Sequence, residues 1–205
     1  LFPVYEIGSL PKLNVRAKAF AAENPTTEED ITELTKYGKI AGVDVSGVVE
    51  ILLRQKAEKR KLTSEEKAAI IDFNALLNLR LQENSGLDFV YDGEARRTEM
   101  YRHVASQVKG FQDCAEMIRC RGPDSWRASI CVDVPRLEGS LDKLVLDEFR
   151  FVKGHATNPV KVPLDDPYMI ANMTLDRYFK EKLSSQYGND PKKLKYEAKM
   201  ALTLA

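Results

Sequence analysis

Three short apolar segments, separated by long helical stretches, constrain the fold of this chain more than any other feature. The segments are Val4–Ile7, Leu87–Tyr91 and Asn158–Leu164. Gly8 and Pro11 force a turn after the first of them. Strands that alternate with helices are typical of a parallel sheet covered by helices. The sequence therefore predicts an α/β protein.

Helix-start signals fill the stretch between the first two segments. Thr26–Glu29 and Leu62–Glu66 both combine threonine caps with acidic first-turn residues, as helix N-termini do. Apolar residues at helical spacing follow the second signal. A helix is also predicted between the two signals, from Val43 to Gln55. Later helices are predicted from Arg96 to Ser106, from Ser140 through Val152, from Pro167 onward, and from Pro191 to Ala205.

The stretch from Lys109 to Val134 interrupts this alternation and is typical of a β-hairpin, with its turn at Gly122–Ser125. An eight-stranded barrel usually takes roughly 250 residues. The chain has only 205 residues, and three strands and a hairpin are predicted from them. We therefore predict one domain over residues 1–205. It forms the first half of a TIM-type (β/α) barrel, with the hairpin as an excursion.

The charge balance excludes some classes of partner. With 31 Lys and Arg against 31 Asp and Glu, the chain has no basic excess to attract nucleic acid or an anionic membrane. No stretch approaches the roughly 18 apolar residues of a membrane span. We expect a cytoplasmic protein. Its three cysteines, Cys114, Cys120 and Cys131, suit reduced thiols because their number is odd and their spacing matches no metal motif.

Polar loops follow the predicted strands, where ligands collect in parallel α/β sheets. Gly8 and Gly93 allow the backbone to approach a ligand, Ser9 supplies a hydroxyl and an amide, and Glu94 is able to bind an ammonium group. The alternative is structural, since such loops also serve as turns and helix caps. The adjacent pair Arg96–Arg97 suits a carboxylate ligand, or an ion pair with Glu94 or Glu99.

Three motifs, in this order, resemble the opening half of the catalytic barrel of cobalamin-independent methionine synthase, including its archaeal core-type relatives. They are Glu6–Pro11, Asp88–Met100 and Pro159–Tyr168. The resemblance implies a 5-methyltetrahydropteroyltriglutamate–homocysteine S-methyltransferase. Such an enzyme moves a methyl group from a folate, or from a methyl-corrinoid, to homocysteine activated on zinc. The family's zinc ligands lie in the second half of the barrel, so we expect them beyond residue 205.

The resemblance also implies roles for individual residues. Ile7, Gly8 and Ser9 correspond to the segment that binds the amino-acid part of homocysteine, and Glu94 to the glutamate that contacts its amino group. Arg119 and Cys120 correspond to a pair that holds the methyl donor.

The third motif departs from the family pattern, which often has glycine before the proline, where this chain has Asp166 before Pro167. The implied partners are homocysteine, the methyl donor and the remaining half of the barrel, from another chain or segment.

Two other functions fit the same residues. One is a non-catalytic half-barrel that keeps an amino-acid pocket for binding or assembly. The other is a relative of uroporphyrinogen decarboxylase or of corrinoid methyltransferases, which would bind a tetrapyrrole and would not respond to homocysteine.

Overall fold

A computed structural model of the protein describes residues 2–21, 25–97, 100–119, 125–137 and 145–205. By its contacts the chain divides into two compact units. The first combines Leu1–Arg97 with Asp147–Pro163, and the second combines Thr98–Leu146 with Leu164–Ala205. The helices are α1 (Asn14–Ala21), α2 (Glu28–Ala41), α3 (Ser46–Glu58), α4 (Ser64–Asn84), α5 (Met100–Ala105), α6 (Leu146–His155), α7 (Pro167–Asn172), α8 (Tyr178–Tyr187) and α9 (Pro191–Leu204). The strands are β1 (Lys109–Arg119), β2 (Ser125–Arg136) and β3 (Thr174–Asp176).

Capping boxes begin the two best-predicted helices. The Thr27 side chain accepts a hydrogen bond from the backbone of Asp30, whose carboxylate accepts one in return from the backbone of Thr27. Thr63 and Glu66 make the same reciprocal pair at the start of α4. Each box satisfies amides that a helix start would otherwise leave unbonded. Both predicted helix starts are confirmed.

The core of the first unit lies where α4 packs against α1, α2 and α3. Leu34, Leu52, Ile70 and Phe73 are among its buried side chains. Within α4, Ile70, Phe73 and Leu77 recur at the three- and four-residue spacing that gives a helix one apolar face. The helical bundle thus follows from the periodicity of the sequence.

Two isolated parallel bridges join the three predicted strand segments. Tyr5 pairs with Phe89, and Val90 pairs with Val160. The three segments therefore lie side by side, with Leu87–Tyr91 in the middle. The prediction of full strands is wrong for all three, since each contributes only bridge residues.

Proline explains part of this shortness at the third segment. The Val90 amide donates to the carbonyl of Pro159 at 3.0 Å, and the Lys161 amide donates to the carbonyl of Val90 at 3.0 Å. Pro159 and Pro163 have no N–H to extend that ladder. The predicted α/β class is nevertheless confirmed.

The second unit contains a three-stranded mixed sheet in the order β1-β2-β3. Strands β1 and β2 pair antiparallel, with Phe111 opposite Cys131, so the predicted hairpin is confirmed. Residues 122–124 of its predicted turn lie outside the described ranges. Strand β3 pairs parallel to β2, with Ser129 opposite Thr174. Neither β3 nor α8 was predicted.

The later helices differ from prediction mainly at their starts. Helix α7 begins at Pro167, with the Asp166 carboxylate accepting a hydrogen bond from the Met169 amide, as predicted for proline at the first position. The helix predicted from Arg96 is wrong at its beginning, because residues 93–96 form a turn and α5 starts at Met100. The predicted cap at Ser140 lies outside the described residues. None of the helices that the structure describes has the length and apolar character to cross a membrane.

Candidate functional site

The loops that follow the first two strand segments meet in the first unit. The Leu10 amide donates a hydrogen bond to the carbonyl oxygen of Gly93 at 3.1 Å. The Tyr91 hydroxyl donates to the carbonyl oxygen of Gly8. Ser9 and Glu94 are the chain neighbours of these paired residues. The structure therefore brings together the two loops that carry the predicted homocysteine-binding residues.

Gly93 is the residue that lets the two loops approach so closely. Its φ is +68°, a left-handed conformation that side chains with a Cβ adopt at a cost. A Cβ added there would lie 2.6 Å from Asn78 Nδ2 and 2.7 Å from Leu10 Cβ. Both distances are too short for real contacts, so this position requires glycine.

Glu94 combines a strained backbone with a buried charge. Its φ is +61°, although left-handed backbone costs a non-glycine residue roughly 1–2 kcal/mol. Its exposed fraction is 4%, and its Oε1 accepts no hydrogen bond from any described residue. Arg97 Nη1 lies 3.9 Å from that oxygen, beyond hydrogen-bond distance. Strain together with an unsatisfied buried oxygen is typical of a functional position.

Asp92 fixes the shape of the second loop. Its carboxylate accepts hydrogen bonds from the Glu94 amide at 2.7 Å and from the Arg96 amide at 3.1 Å. Burial, followed by the nearby Glu148 carboxylate, raises the pKa of Asp92 to about 6. The Asn78 side-chain amide donates to the Asp92 carbonyl at 2.9 Å. Asp92 thus stabilises a turn, as in the structural alternative for this loop, and not a helix start, since α5 begins only at Met100.

Arg16 of α1 holds the same loop from another direction. Its Nε donates to the Ala95 carbonyl at 2.8 Å, and its Nη2 contacts the carbonyls of Glu94, at 3.5 Å, and Arg97. Burial lowers the pKa of Arg16 to about 10, and the Asp92 carboxylate opposes that shift. The guanidinium therefore replaces the solvent that these carbonyls would otherwise bind. Sequence reasoning missed Arg16, because nothing in an arginine near a helix start signals such a role.

Arg97 is engaged in a buried ion pair with α6. Its Nε and Nη2 lie 2.8 and 3.0 Å from the two carboxylate oxygens of Glu148. Its Nη2 also donates to the Pro163 carbonyl at 2.8 Å. The exposed fractions of the two side chains are 3% and 4%. Of the roles predicted for Arg97, the structure therefore shows an ion pair, although its main partner is Glu148.

Arg96 also has protein partners. It forms an ion pair with Asp72, and its guanidinium carbon lies 4.4 Å from the ring centroid of Phe151. Stacking of this kind is common for arginine. Arg96 and Arg97 thus attach the second loop to other residues of the first unit.

The other predicted site residues are not joined to this cluster by any described contact. Ile7 is 78% exposed. Arg119 ends β1, where its backbone is opposite Ser125, and Cys120 lies outside the described residues. Asp166 and Pro167 belong to the second unit. The methyl-donor role of Arg119 and Cys120 stays a prediction. The approach of the loop at Asp166–Pro167 to the other two loops stays a prediction as well.

The described residues do not fit a zinc site. In the parts of the chain that the structure describes, no group of three or more His, Cys, Asp or Glu side chains is placed to hold a metal ion. Cys114 and Cys131 are free thiols, and burial raises the pKa of Cys131 to about 11, which disfavours the thiolate that a metal requires. We therefore derive no chemical step through zinc.

A cavity of about 400 Å³ lies beside the first loop. Leu10 and Lys12 of that loop line it, together with Tyr37 of α2 and Leu77 and Gln82 of α4. Neither Ser9 nor Glu94 is among its lining residues. No sequence motif indicates this cavity, because it forms between segments that are distant in the chain.

Comparison with known proteins identifies the family. Residues 49–174 match the family described as the catalytic domain of cobalamin-independent synthase. This segment is more than half of the chain and includes Glu94. The methionine synthase of Pyrococcus furiosus is 33% identical over 128 residues, which are 62% of this chain and 37% of that protein. The methionine synthase of Pyrococcus horikoshii is 35% identical over 126 residues, which are 60% of this chain and 36% of that protein.

More distant similarities agree with these. A 5-methyltetrahydropteroyltriglutamate–homocysteine methyltransferase of Synechococcus sp. is 29% identical over 60% of this chain and 16% of that protein. A solved B12-independent methionine synthase from Shewanella sp. W3-18-1 covers 67% of this chain and 41% of that structure, with 21% identity and a TM-score of 0.49. The last likeness is too partial to bear on the fold. In each case the match spans less than half of the relative's length. By its family match, this chain belongs to the catalytic-domain family of the cobalamin-independent synthases.

Proposed function

We propose that this chain supplies the homocysteine-binding part of a methyltransferase of methionine biosynthesis, with a methyl-folate or a methyl-corrinoid as the donor. The names of the similar proteins from Pyrococcus and Synechococcus support this activity. In this proposal residues 1–205 form the first half of a (β/α) barrel, and another segment or chain supplies the rest. The zinc ligands, in this proposal, come from outside residues 1–205, as the family resemblance implies.

The carboxylate of Glu94 is the single observation that supports the proposal most strongly. Its Oε1 is buried and has no hydrogen-bond donor among the described residues. An ammonium group offers three N–H donors and a compensating positive charge. Bound homocysteine would therefore donate a hydrogen bond to an oxygen that receives none from the described residues.

The contribution of these loops to the reaction is binding and orientation. Gly8 and Gly93 keep their backbones close to the ligand, and Ser9 offers its hydroxyl and amide to the amino-acid part. Asp92 and Arg16 hold the loop of Glu94 in place through the hydrogen bonds described above. A substrate oriented in this way reacts faster because less freedom is lost at the transition state.

Calorimetric titration of the purified chain tests the proposal. The ligands are L-homocysteine, kept reduced, and 4-mercaptobutanoate, which lacks only the amino group. We expect Glu94→Gln to weaken homocysteine binding by about tenfold or more, as expected when a hydrogen bond to a charged group is lost. Its effect on 4-mercaptobutanoate should be less than about twofold.

Glu29→Gln is the matched control, because it makes the same change at an exposed position of α2 and should bind both ligands as the wild type does. Equal loss of the two ligands in Glu94→Gln, or unchanged homocysteine binding, would remove Glu94 from the site. Failure of the wild type to bind homocysteine would refute the proposed function of this chain. Measuring the melting temperature of each variant separates lost binding from lost folding.

A further inference from the structure

An α-amino acid has two charges, and Glu94 addresses only one of them. The ammonium group of homocysteine suits the Glu94 carboxylate, but the carboxylate of the ligand needs donors or a cation of its own. In a partly buried site, a carboxylate without such a partner is destabilised by the loss of its hydration. A cation near Ser9 would meet this requirement.

Lys12 supplies a cation at that place. Its Nζ donates to the Ser9 hydroxyl and, at 3.2 Å, to the Leu10 carbonyl. Leu10 is the residue whose amide binds the Gly93 carbonyl at 3.1 Å. The lysine ammonium group therefore lies at the junction of the two loops, one hydrogen bond from the hydroxyl proposed to contact the ligand.

The arginines around the junction are already engaged with the protein. Arg16 donates to the carbonyls of the second loop, and Arg97 pairs with Glu148. Lys12 differs from Arg97, because among the described residues no carboxylate lies within ion-pair distance of its Nζ. Its present partners are a hydroxyl and a carbonyl, both neutral.

The electrostatic surroundings of Lys12 agree with this assignment. Burial, followed by the charge of Arg16, lowers its pKa, while the Glu94 and Asp92 carboxylates oppose that change. The Glu94 charge thus lies within interaction range of the lysine. An incoming carboxylate would stabilise the charged form of Lys12.

We propose that Lys12 binds the α-carboxylate of the amino-acid substrate beside Ser9, while Glu94 binds its ammonium group. This inference rests on the proposed function and extends it to substrate selection. The pair of opposite charges favours a zwitterionic amino acid over a thiol that has only an amine or only an acid. Lys12 is then a specificity-determining residue of the homocysteine site.

The test compares L-homocysteine with 3-aminopropane-1-thiol, which lacks only the carboxylate. Titration calorimetry uses the full chain with Lys12→Met, Lys12→Arg and the control Lys39→Met, which changes an exposed lysine of α2. We expect Lys12→Met to weaken homocysteine binding by about tenfold or more and to change aminopropanethiol binding by less than about twofold. Lys12→Arg keeps the charge and should retain a clear preference for homocysteine, and Lys39→Met should match the wild type.

The possible outcomes distinguish carboxylate binding by Lys12 from homocysteine binding by the chain. If the wild type binds homocysteine but Lys12→Met weakens both ligands equally, or neither, Lys12 does not bind the carboxylate and the proposed function still stands. If the wild type does not bind homocysteine, both proposals fall together. If Lys12→Met does not fold, Lys12→Gln replaces it with the same expectations. Loss of the homocysteine preference in Lys12→Arg would also overturn the inference.

Discussion

The backbone amide of Leu10 donates a 3.1 Å hydrogen bond to the carbonyl oxygen of Gly93. This bond joins the loop after the first strand segment to the loop after the second. It places Ser9 and Glu94, which the sequence motifs assign to one substrate, on neighbouring segments of the first unit. The proposed homocysteine site depends on this contact.

A side chain at Gly93 should separate the two loops. We expect Gly93→Ala to lower the free energy of unfolding by about 2–4 kcal/mol, because left-handed strain is added to the overpacking cost of a Cβ against Asn78 and Leu10. Homocysteine binding should be lost as well. Urea unfolding and calorimetry measure the two effects.

Substitutions at two other glycines distinguish left-handed backbone strain from overpacking. Gly86 has a φ of +76° but open space around its Cβ position, so Gly86→Ala should cost only the strain, about 1–2 kcal/mol. Gly47 lies in α3 with open space and no positive φ, so Gly47→Ala should be neutral or stabilising by up to about 1 kcal/mol. If Gly86→Ala and Gly93→Ala lowered the free energy of unfolding equally, the close approach of the two loops would make no contribution to stability.

Arg16 should keep the second loop closed. Arg16→Lys preserves the charge but replaces the planar fork that reaches several carbonyls of that loop. We expect hydrogen exchange at the amides of Glu94 and Arg96 to accelerate by about tenfold or more, in line with hydrogen bonds to charged groups. Arg54→Lys, which changes an exposed arginine of α3, should leave those amides as in the wild type. Unchanged exchange in Arg16→Lys would mean that the guanidinium of Arg16 is not needed to keep the loop closed.

The buried Arg97–Glu148 pair should behave as one unit. Removing one partner leaves an uncompensated buried charge, so Arg97→Met and Glu148→Leu should each cost about 3–5 kcal/mol. The double variant should cost clearly less than the two single costs added together, because neither charge is then left alone. Urea unfolding of the four proteins measures this coupling. Additive costs would show that the two side chains stabilise the unit independently.

Asp92 should make stability depend on pH. Burial raises its pKa from 3.8 to about 6, so the folded protein binds this proton more tightly than the unfolded chain does. Its contribution to stability is therefore fully present below about pH 4 and falls as the pH rises to about 6. The unfolding free energy of wild type minus Asp92→Asn should shrink across that range, as measured by urea unfolding at several pH values. A difference that stays constant, or that grows with pH, would contradict this assignment.

Local chemistry explains the parts of the fold that were predictable. The starts of α2 and α4 depend on Thr27 and Thr63 with carboxylates three residues later, a pattern contained within one turn of helix. The start of α7 depends similarly on Asp166 and Pro167. The hairpin of β1 and β2 joins segments that are close in the chain, and alternating apolar residues reveal it.

The unpredicted parts depend on contacts between distant residues. Strand β3 is only three residues long and exists because Thr174 pairs with Ser129 of β2. Helix α8 has no side-chain cap at Arg177. Its first amides, those of Phe179 and Lys180, donate instead to the carboxylate of Asp176, one residue before the usual cap position. In the candidate site, the motifs indicated Ser9 and Glu94. Arg16 and Asn78 reach the second loop only through the packing of α1 and α4, which a single sequence does not show.

A crystal structure of the chain with L-homocysteine would show directly whether the two loops bind this substrate. We expect ligand density between the Ser9 and Glu94 loops, with the ligand's amino nitrogen about 2.7–3.2 Å from Glu94 Oε1. Its carboxylate should contact Ser9. Homocysteine bound elsewhere on the chain, or an amino group that makes no contact with Glu94, would contradict it.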